Sequence, residues 1–151
     1  MLEVIEFNTE QNTVFKWLDI KSSISKKGNS SFTYIKVIRK GLQSKSIDSF
    51  IKYSSLSKKQ VSKLIHISER TLQRNALDKK IDTNSSEKLI ELARLFHKGI
   101  EVFESREKFI IWLNRSNEAL ENQSPFELME SNFGINLVID ELIRIEHGVF
   151  S

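Results

Sequence analysis

The chain has 151 residues, with 23 Lys/Arg against 20 Asp/Glu, ten Phe, five Gly, one Pro and no Cys. That length makes one large domain or two small ones and buries a real core without covalent staples. The lack of Cys excludes disulfides and thiolate metal sites, and the short, charge-broken apolar runs do not read as a signal peptide or a membrane span, so a cytoplasmic protein with no membrane partner is expected.

The overall charge of +3 hides a division. Residues 1–80 hold 16 Lys/Arg against 7 Asp/Glu, and residues 81–151 hold 7 against 13. A sign change at one position points to two halves with two partners, a polyanion for the basic half and protein for the acidic half. The plain alternative is a dipolar surface with no role.

So few Gly and Pro residues favour helices over tight β turns. Residues 1–30 form a variable segment. Val14, Phe15, Trp17, Leu18 and Ile20 fit a short apolar helix or strand, and the Ser/Lys/Gly-rich stretch after them reads as a linker. From Ser31, the spacing of Ile35, Ile38 and Leu42 predicts a helix ended by Gly41. A strand over 32–38 is the alternative. Ser46 is the cap candidate for the next helix, with Ile47, Phe50 and Ile51 inward. Leu56 follows in a turn.

Ser57-Lys58-Lys59-Gln60 has capping-box spacing, with Val61, Leu64 and Ile65 as the apolar face. The helix breaks near His66-Ile67, and Ser68 caps a successor containing Thr71, Leu72 and Asn75. Asp78-Lys79-Lys80 is the expected domain boundary, dividing a domain 31–80 from a domain 81–151. Asp82 or Asn84 caps the longest helix, whose face is Leu89, Leu92, Ala93, Phe96, Ile100 and Phe103. Gly99 inside it costs up to about 1 kcal/mol against Ala, which close packing of a neighbour would explain. A short helix follows with Phe109, Ile110, Trp112 and Leu113. Ser124-Pro125-Phe126-Glu127 combines a Ser cap, Pro at the first helical position and a closing Glu. The last helix runs from about residue 133 to 147, with Leu137, Val138, Leu142 and Ile145 inward.

Residues 57–75 read as a helix-turn-helix. Ser62 is the small residue at the crossing, and Val61, Ile65, Ile67 and Leu72 lock the angle. Ser68, Glu69, Arg70, Gln73 and Arg74 are then exposed on the second helix. Arg pairs with guanine edges and Gln with adenine edges in the major groove, while Lys58 and Lys59 sit where phosphate contacts are expected. The segment resembles the helix-turn-helix of Cro/Xre-type regulators, with residues 68–74 as recognition helix. The candidate DNA-binding set is Lys58, Lys59, Ser68, Arg70, Thr71, Gln73 and Arg74. Two positions depart from the pattern: His66 stands where Gly is common, and Asn75 where an apolar residue is usual.

No catalytic constellation is present. His66, His97 and His147 are isolated in sequence and show no metal spacing, and no Gly-rich phosphate loop exists. Neither an enzyme, a metal nor a cofactor is expected.

The C-terminal stretch Arg144-Ile145-Glu146-His147-Gly148-Val149-Phe150-Ser151 pairs a helix stop with an apolar tail. Gly148 adopts the left-handed backbone that often follows a helix, which sets the tail's direction. On physics alone, Phe150 folds back on its own domain or meets a partner. The segments Trp112-Leu113-Asn114-Arg115-Ser116-Asn117-Glu118-Ala119-Leu120, Ser124-Pro125-Phe126-Glu127-Leu128 and Ile145–Ser151 together resemble the toxin-binding domain of the Xre/MbcA/ParS antitoxin family, over roughly residues 81–151.

That resemblance implies an all-α fold, an N-terminal helix-turn-helix domain followed by a C-terminal helical toxin-binding domain. It implies the antitoxin of a type II toxin–antitoxin pair, with a RES-domain toxin acting on NAD as partner. The tail would sit at the toxin's active-site entrance, so Arg144, Glu146, His147, Gly148, Val149, Phe150 and Ser151 become the candidate toxin contacts. Operator DNA is the second partner, through autorepression, and a homodimer is expected. The rival reading is a stand-alone helix-turn-helix transcription regulator whose C-terminal half only dimerises.

Overall fold

The computed structural model describes residues 2–21 and 30–148. The elements are α1 (Leu2–Trp17), α2 (Ser30–Lys40), α3 (Ser44–Ser54), α4 (Lys58–Ile65), α5 (Glu69–Arg74), α6 (Thr83–Phe103), α7 (Arg106–Leu113), a 3-10 turn (Glu118–Leu120), α8 (Pro125–Leu128) and α9 (Asn132–Glu146). Among the described residues there is no strand, only the isolated bridges Gln43–Lys80 and Asn117–Gln123. The strand alternative for 32–38 is therefore not taken.

Two compact units divide the chain between Arg94 and Leu95, inside α6. The sequence places the boundary at Lys80, because a charged connector there looks like a linker. In the fold that connector is tied down. The Ile81 amide donates to the Leu42 carbonyl at 2.9 Å, and the Leu42 amide to Ser86 Oγ at 3.0 Å. The first half of α6 consequently completes the N-terminal unit, burying Leu89, Ile90, Leu92 and Ala93.

In that unit the end of α1 packs into the core. Val14, Phe15 and Leu18 are buried, with Phe15 edge-on to Tyr34 at 6.3 Å. A polar cluster joins α1, α2 and α6. The Tyr34 hydroxyl donates to Glu10 Oε1 at 3.2 Å, Arg94 Nε donates to the same oxygen at 2.5 Å, and the guanidinium lies 5.2 Å from the Tyr34 ring centroid. Burial, reinforced by the Glu10 carboxylate, pushes the Tyr34 hydroxyl pKa well above its ordinary range.

Helix α2 turns a different face inward from the one the spacing implies. Thr33, Tyr34 and Val37 are buried, while Ile35 is 41% exposed. The pattern Ile35-Ile38-Leu42 was misleading because Leu42 lies beyond the helix. Gly41, at φ +85°, turns the chain first, its amide donating to the Val37 and Ile38 carbonyls.

Helix α3 also begins earlier than the Ser46 cap implies. It starts at Ser44, and the capping residue Gln43 makes no side-chain bond to the helix. The first amides find distant partners instead, Ser44 donating to the Lys79 carbonyl at 2.8 Å and Lys45 to the Leu77 carbonyl at 2.9 Å. Ser46 is buried within the first turn. Helix α6 is capped locally by Asp82, whose Oδ1 accepts from the Ser85 amide and whose Oδ2 accepts from the Ser85 hydroxyl, both at 2.8 Å. Those bonds, the Ser85 amide first, hold the Asp82 carboxyl below its ordinary pKa.

The C-terminal unit is built on aromatic packing. Phe109 meets Phe96 edge-on at 5.1 Å, with Phe103 and Trp112 at 6.1 and 6.0 Å. Gly99 is what admits the Phe109 ring, since a Cβ there would lie 2.2 Å from it. Ser124 and Glu127 form the expected capping box on α8, and Ser131 caps α9 by accepting from the Gly134 amide. Gly134 lets α9 approach α8, as a Cβ would lie 1.5 Å from the Leu128 carbonyl oxygen. The inward stripe of α9 is Ile135, Val138 and Leu142. Leu137, expected inside, is 51% exposed. The stripe through 135, 138 and 142 runs along one side of the helix, and position 137 falls roughly 100° or more around the axis from each of them.

Gly99→Ala is expected to lower stability. The methyl must displace a ring held by three other aromatics, and overpacking of about 1–3 kcal/mol exceeds the gain of about 1 kcal/mol in helix propensity. A lower urea midpoint with unchanged slope checks this.

Asp82→Ala is expected to cost about 1 kcal/mol near neutral pH, as a lost cap. Because the folded-state pKa is depressed, this stabilisation is present above the ordinary Asp range and disappears as pH falls through the folded value. Urea melts of both proteins should therefore converge in acid.

Candidate functional site

Two constellations are assembled from the residues upward, one in each unit. In the N-terminal unit, Ser57 opens α4. Its hydroxyl accepts from the Gln60 amide at 3.0 Å, and Gln60 Oε1 accepts from the Ser57 amide at 2.9 Å. Val61, Leu64 and Ile65 are buried. The helix stops at His66, in a left-handed conformation at φ +59°, with its amide donating to the Ser62 carbonyl. His is among the non-glycine residues that visit this region more readily. The buried Ser62 hydroxyl donates to the Ile67 carbonyl, and the Ile67 amide returns to the Ser62 carbonyl at 3.2 Å. The small side chain expected at this crossing thus also fastens the turn.

Ser68 caps α5, accepting from the Thr71 amide at 3.1 Å, while its hydroxyl donates to Thr71 Oγ1 at 2.8 Å. Leu72 is buried against the unit, and the half-buried Asn75 ends the helix with its amide on the Thr71 carbonyl at 3.0 Å. Glu69, Arg70, Gln73 and Arg74 are exposed, Thr71 is half-buried, and Lys59 is exposed beside the half-buried Lys58 at the start of α4. The seven candidate DNA-binding residues fall on the starts of α4 and α5 and along α5. Within that set Ser68 and Thr71 are engaged in capping, which leaves Arg70, Gln73 and Arg74 as the long exposed donors of α5.

In the C-terminal unit, the end of α9 carries the other candidates. Arg144 Nη1 pairs with Glu141 at 3.1 Å, and Glu146 pairs with Lys98 of α6 at 2.5 Å. The His147 amide donates to the Ile143 carbonyl at 3.1 Å and the Gly148 amide to the Ile145 carbonyl at 3.0 Å. Gly148 has φ +68° and a Cβ there would meet nothing, so its value is conformational and not steric. Val149, Phe150 and Ser151 lie outside the described residues.

Sequence reasoning missed one feature of this unit. Phe133 is 85% exposed and stands four residues before Leu137, on the same outer face of α9, with Ile143 partly exposed near its end. The signal was present in the spacing. Once Ile135, Val138 and Leu142 are assigned inward, a Phe-x-x-x-Leu pair has no core to enter.

Among the described residues, no group of three or more His, Cys, Asp or Glu side chains could hold a metal ion, and no helix is long and apolar enough to cross a membrane. Residues 34–94 match the antitoxin Xre-like helix-turn-helix domain, and residues 98–148 match the antitoxin Xre/MbcA/ParS C-terminal toxin-binding domain. The chain belongs to the Xre-type antitoxin family. It is 29% identical over 116 residues to Antitoxin Xre of Yersinia enterocolitica serotype O:8 / biotype 1B, a match covering 76% of this chain and 78% of that protein. The helix-turn-helix match of this antitoxin ends at Arg94, where its first compact unit also ends. The family is one of antitoxins and not of enzymes.

Proposed function

We propose that this antitoxin acts in the cytoplasm, neutralises a RES-domain toxin that consumes NAD, and represses its own operon by binding promoter DNA. The observation that carries the reading is the order of the two matched domains in one chain, a helix-turn-helix followed by a toxin-binding domain.

On the DNA side, α5 enters the major groove. Arg70 and Arg74 donate bidentately to guanine edges, Gln73 reads adenine, and Lys58 and Lys59 contact phosphates at the start of α4. A homodimer would place two such helices on half-sites one helical turn apart. On the toxin side, the outer face of α9 and the residues from Gly148 onward are the contacts. Phe133 and Leu137 dock on apolar surface, and Val149 and Phe150 reach the entrance to the NAD site. A Gly-directed tail keeps the ordering cost on binding low. Burying a Phe side chain is worth roughly 1.5–3 kcal/mol.

Arg70→Ala or Arg74→Ala is expected to weaken operator binding by about 1–3 kcal/mol and relax base specificity, with toxin binding unchanged. Titration of operator and mismatched duplexes checks this, and indifference to both substitutions refutes the recognition-helix assignment.

A chain lacking residues 148–151, and a separate Phe133→Ser/Leu137→Ser variant, are each expected to fold and bind DNA but neutralise the toxin poorly. The exposed positions should cost less than about 0.5 kcal/mol of stability. Toxin inhibition measured beside circular dichroism decides it. A folded variant that inhibits fully removes that segment from the interface.

A further inference from the structure

The N-terminal unit contains a cleft of about 210 Å³ formed by the turn after α1, the α2–α3 junction and the connector into α6. Lys21, Lys40, Lys45 and Lys80 line it, together with a single carboxylate, Asp19. These four lysines come from three separate stretches of chain, so folding gathers them and no run of charge in the sequence announces them. Asp19 lies 3.7 Å from Lys45, which leaves three ammonium groups with no carboxylate in the lining to offset them.

The backbone that carries them is fixed. Gly41, at φ +85°, turns the chain immediately after Lys40. The Lys45 amide is held by the Leu77 carbonyl at 2.9 Å, and Lys80 lies between the Lys79 carbonyl and the Ile81 amide, both bonded across to the α2–α3 junction. Lys45 also sits in the first turn of α3, which has no acidic residue. A helix start favours anions, so a lysine there adds to positive potential where a carboxylate would be usual. Four lysines against one carboxylate favour an anionic ligand.

Size narrows the ligand. The cleft falls below the roughly 300–1,000 Å³ of sites that enclose a small molecule. It suits a phosphate group whose parent molecule stays outside. Lys80 follows the end of α5 by six residues, with Leu77 and Lys79 anchoring the connector between them. We propose that this cleft is a phosphate site that holds the backbone of duplex DNA beside the base-reading helix. The inference rests on the reading that the chain binds DNA and adds a contact outside the helix-turn-helix. Such a contact would position the protein and contribute affinity without reading sequence.

The test uses the full chain with Lys40→Gln and Lys80→Gln together. Both side chains are exposed, and the Lys45–Asp19 pair is left intact. A control with Lys36→Gln and Lys108→Gln removes the same charge elsewhere. Affinity for an operator duplex and for an unrelated duplex is measured across a range of salt. The cleft variant should lose the same several-fold factor on both duplexes, and its log–log salt slope should shrink by about one to two relative to the control. A slope equal to the control's overturns the proposal. A second titration uses inorganic phosphate, followed by the amide resonances of residues 40–46. Tight phosphate binding with an unchanged DNA slope assigns the cleft to a free phosphate compound and overturns the DNA assignment. Failure of the unaltered chain to bind either duplex would instead contradict the DNA-binding reading itself.

Discussion

The carbonyls of Leu77 and Lys79 complete the start of α3, and much of the N-terminal unit depends on that exchange. A helix leaves its first amides without partners inside the helix. At α4, α5, α7, α8 and α9 a serine side chain supplies one of the missing acceptors, and at α6 Asp82 does so. Gln43 supplies none to α3, which is closed by the chain leaving α5. The same connector sends the Ile81 amide to Leu42, while Ser86 of α6 accepts from the Leu42 amide. Helix α3, the exit from α5 and the beginning of α6 are therefore tied to one another by backbone hydrogen bonds. This is why a stretch that reads as a linker is an internal part of a folded unit.

The same distinction between local and distant bonds explains what the sequence disclosed. Ser57 with Gln60, Ser68 with Thr71 and Ser124 with Glu127 interact across three residues, so spacing alone located three helix starts. Gly99 was legible for a similar reason, since a glycine inside a strong helix needs a close neighbour, and Phe109 is that neighbour. The start of α3 was not legible, because its partners lie more than thirty residues away. Nor was the inward face of α2, where Leu42 extended an apparent stripe past the glycine that ends the helix, or that of α9, where apolar residues occur on both faces. The exposed positions along α5 were readable from the turn chemistry, whereas the exposed Phe133 became visible only after the core positions of α9 were known.

The segments that carry the proposed contacts retain little freedom. The turn between α4 and α5 is fixed by the Ser62 hydroxyl, the left-handed His66 and the Ser68 cap, all in a span of seven residues. Side chains projecting from α5 are thereby preorganised, and less ordering entropy opposes binding. In the second unit, α9 is closely seated on α8 through Gly134 and ends at a left-handed Gly148. Its inner face supplies the core, and its outer face exposes Phe133 and Leu137. Helix α6 contributes its first half to one unit and its second half to the other, so a single helix belongs to both the DNA-binding and the toxin-binding domain of the family.

The division of labour between the units is tested most directly by amide hydrogen exchange of the full chain, alone, with its operator duplex and with its toxin. Operator DNA should slow exchange in residues 57–75 and leave α7 to α9 unchanged, and toxin should slow exchange in α9 and leave α4 and α5 unchanged. Protection of α9 by DNA, or of α5 by toxin with none in α9, would contradict that division.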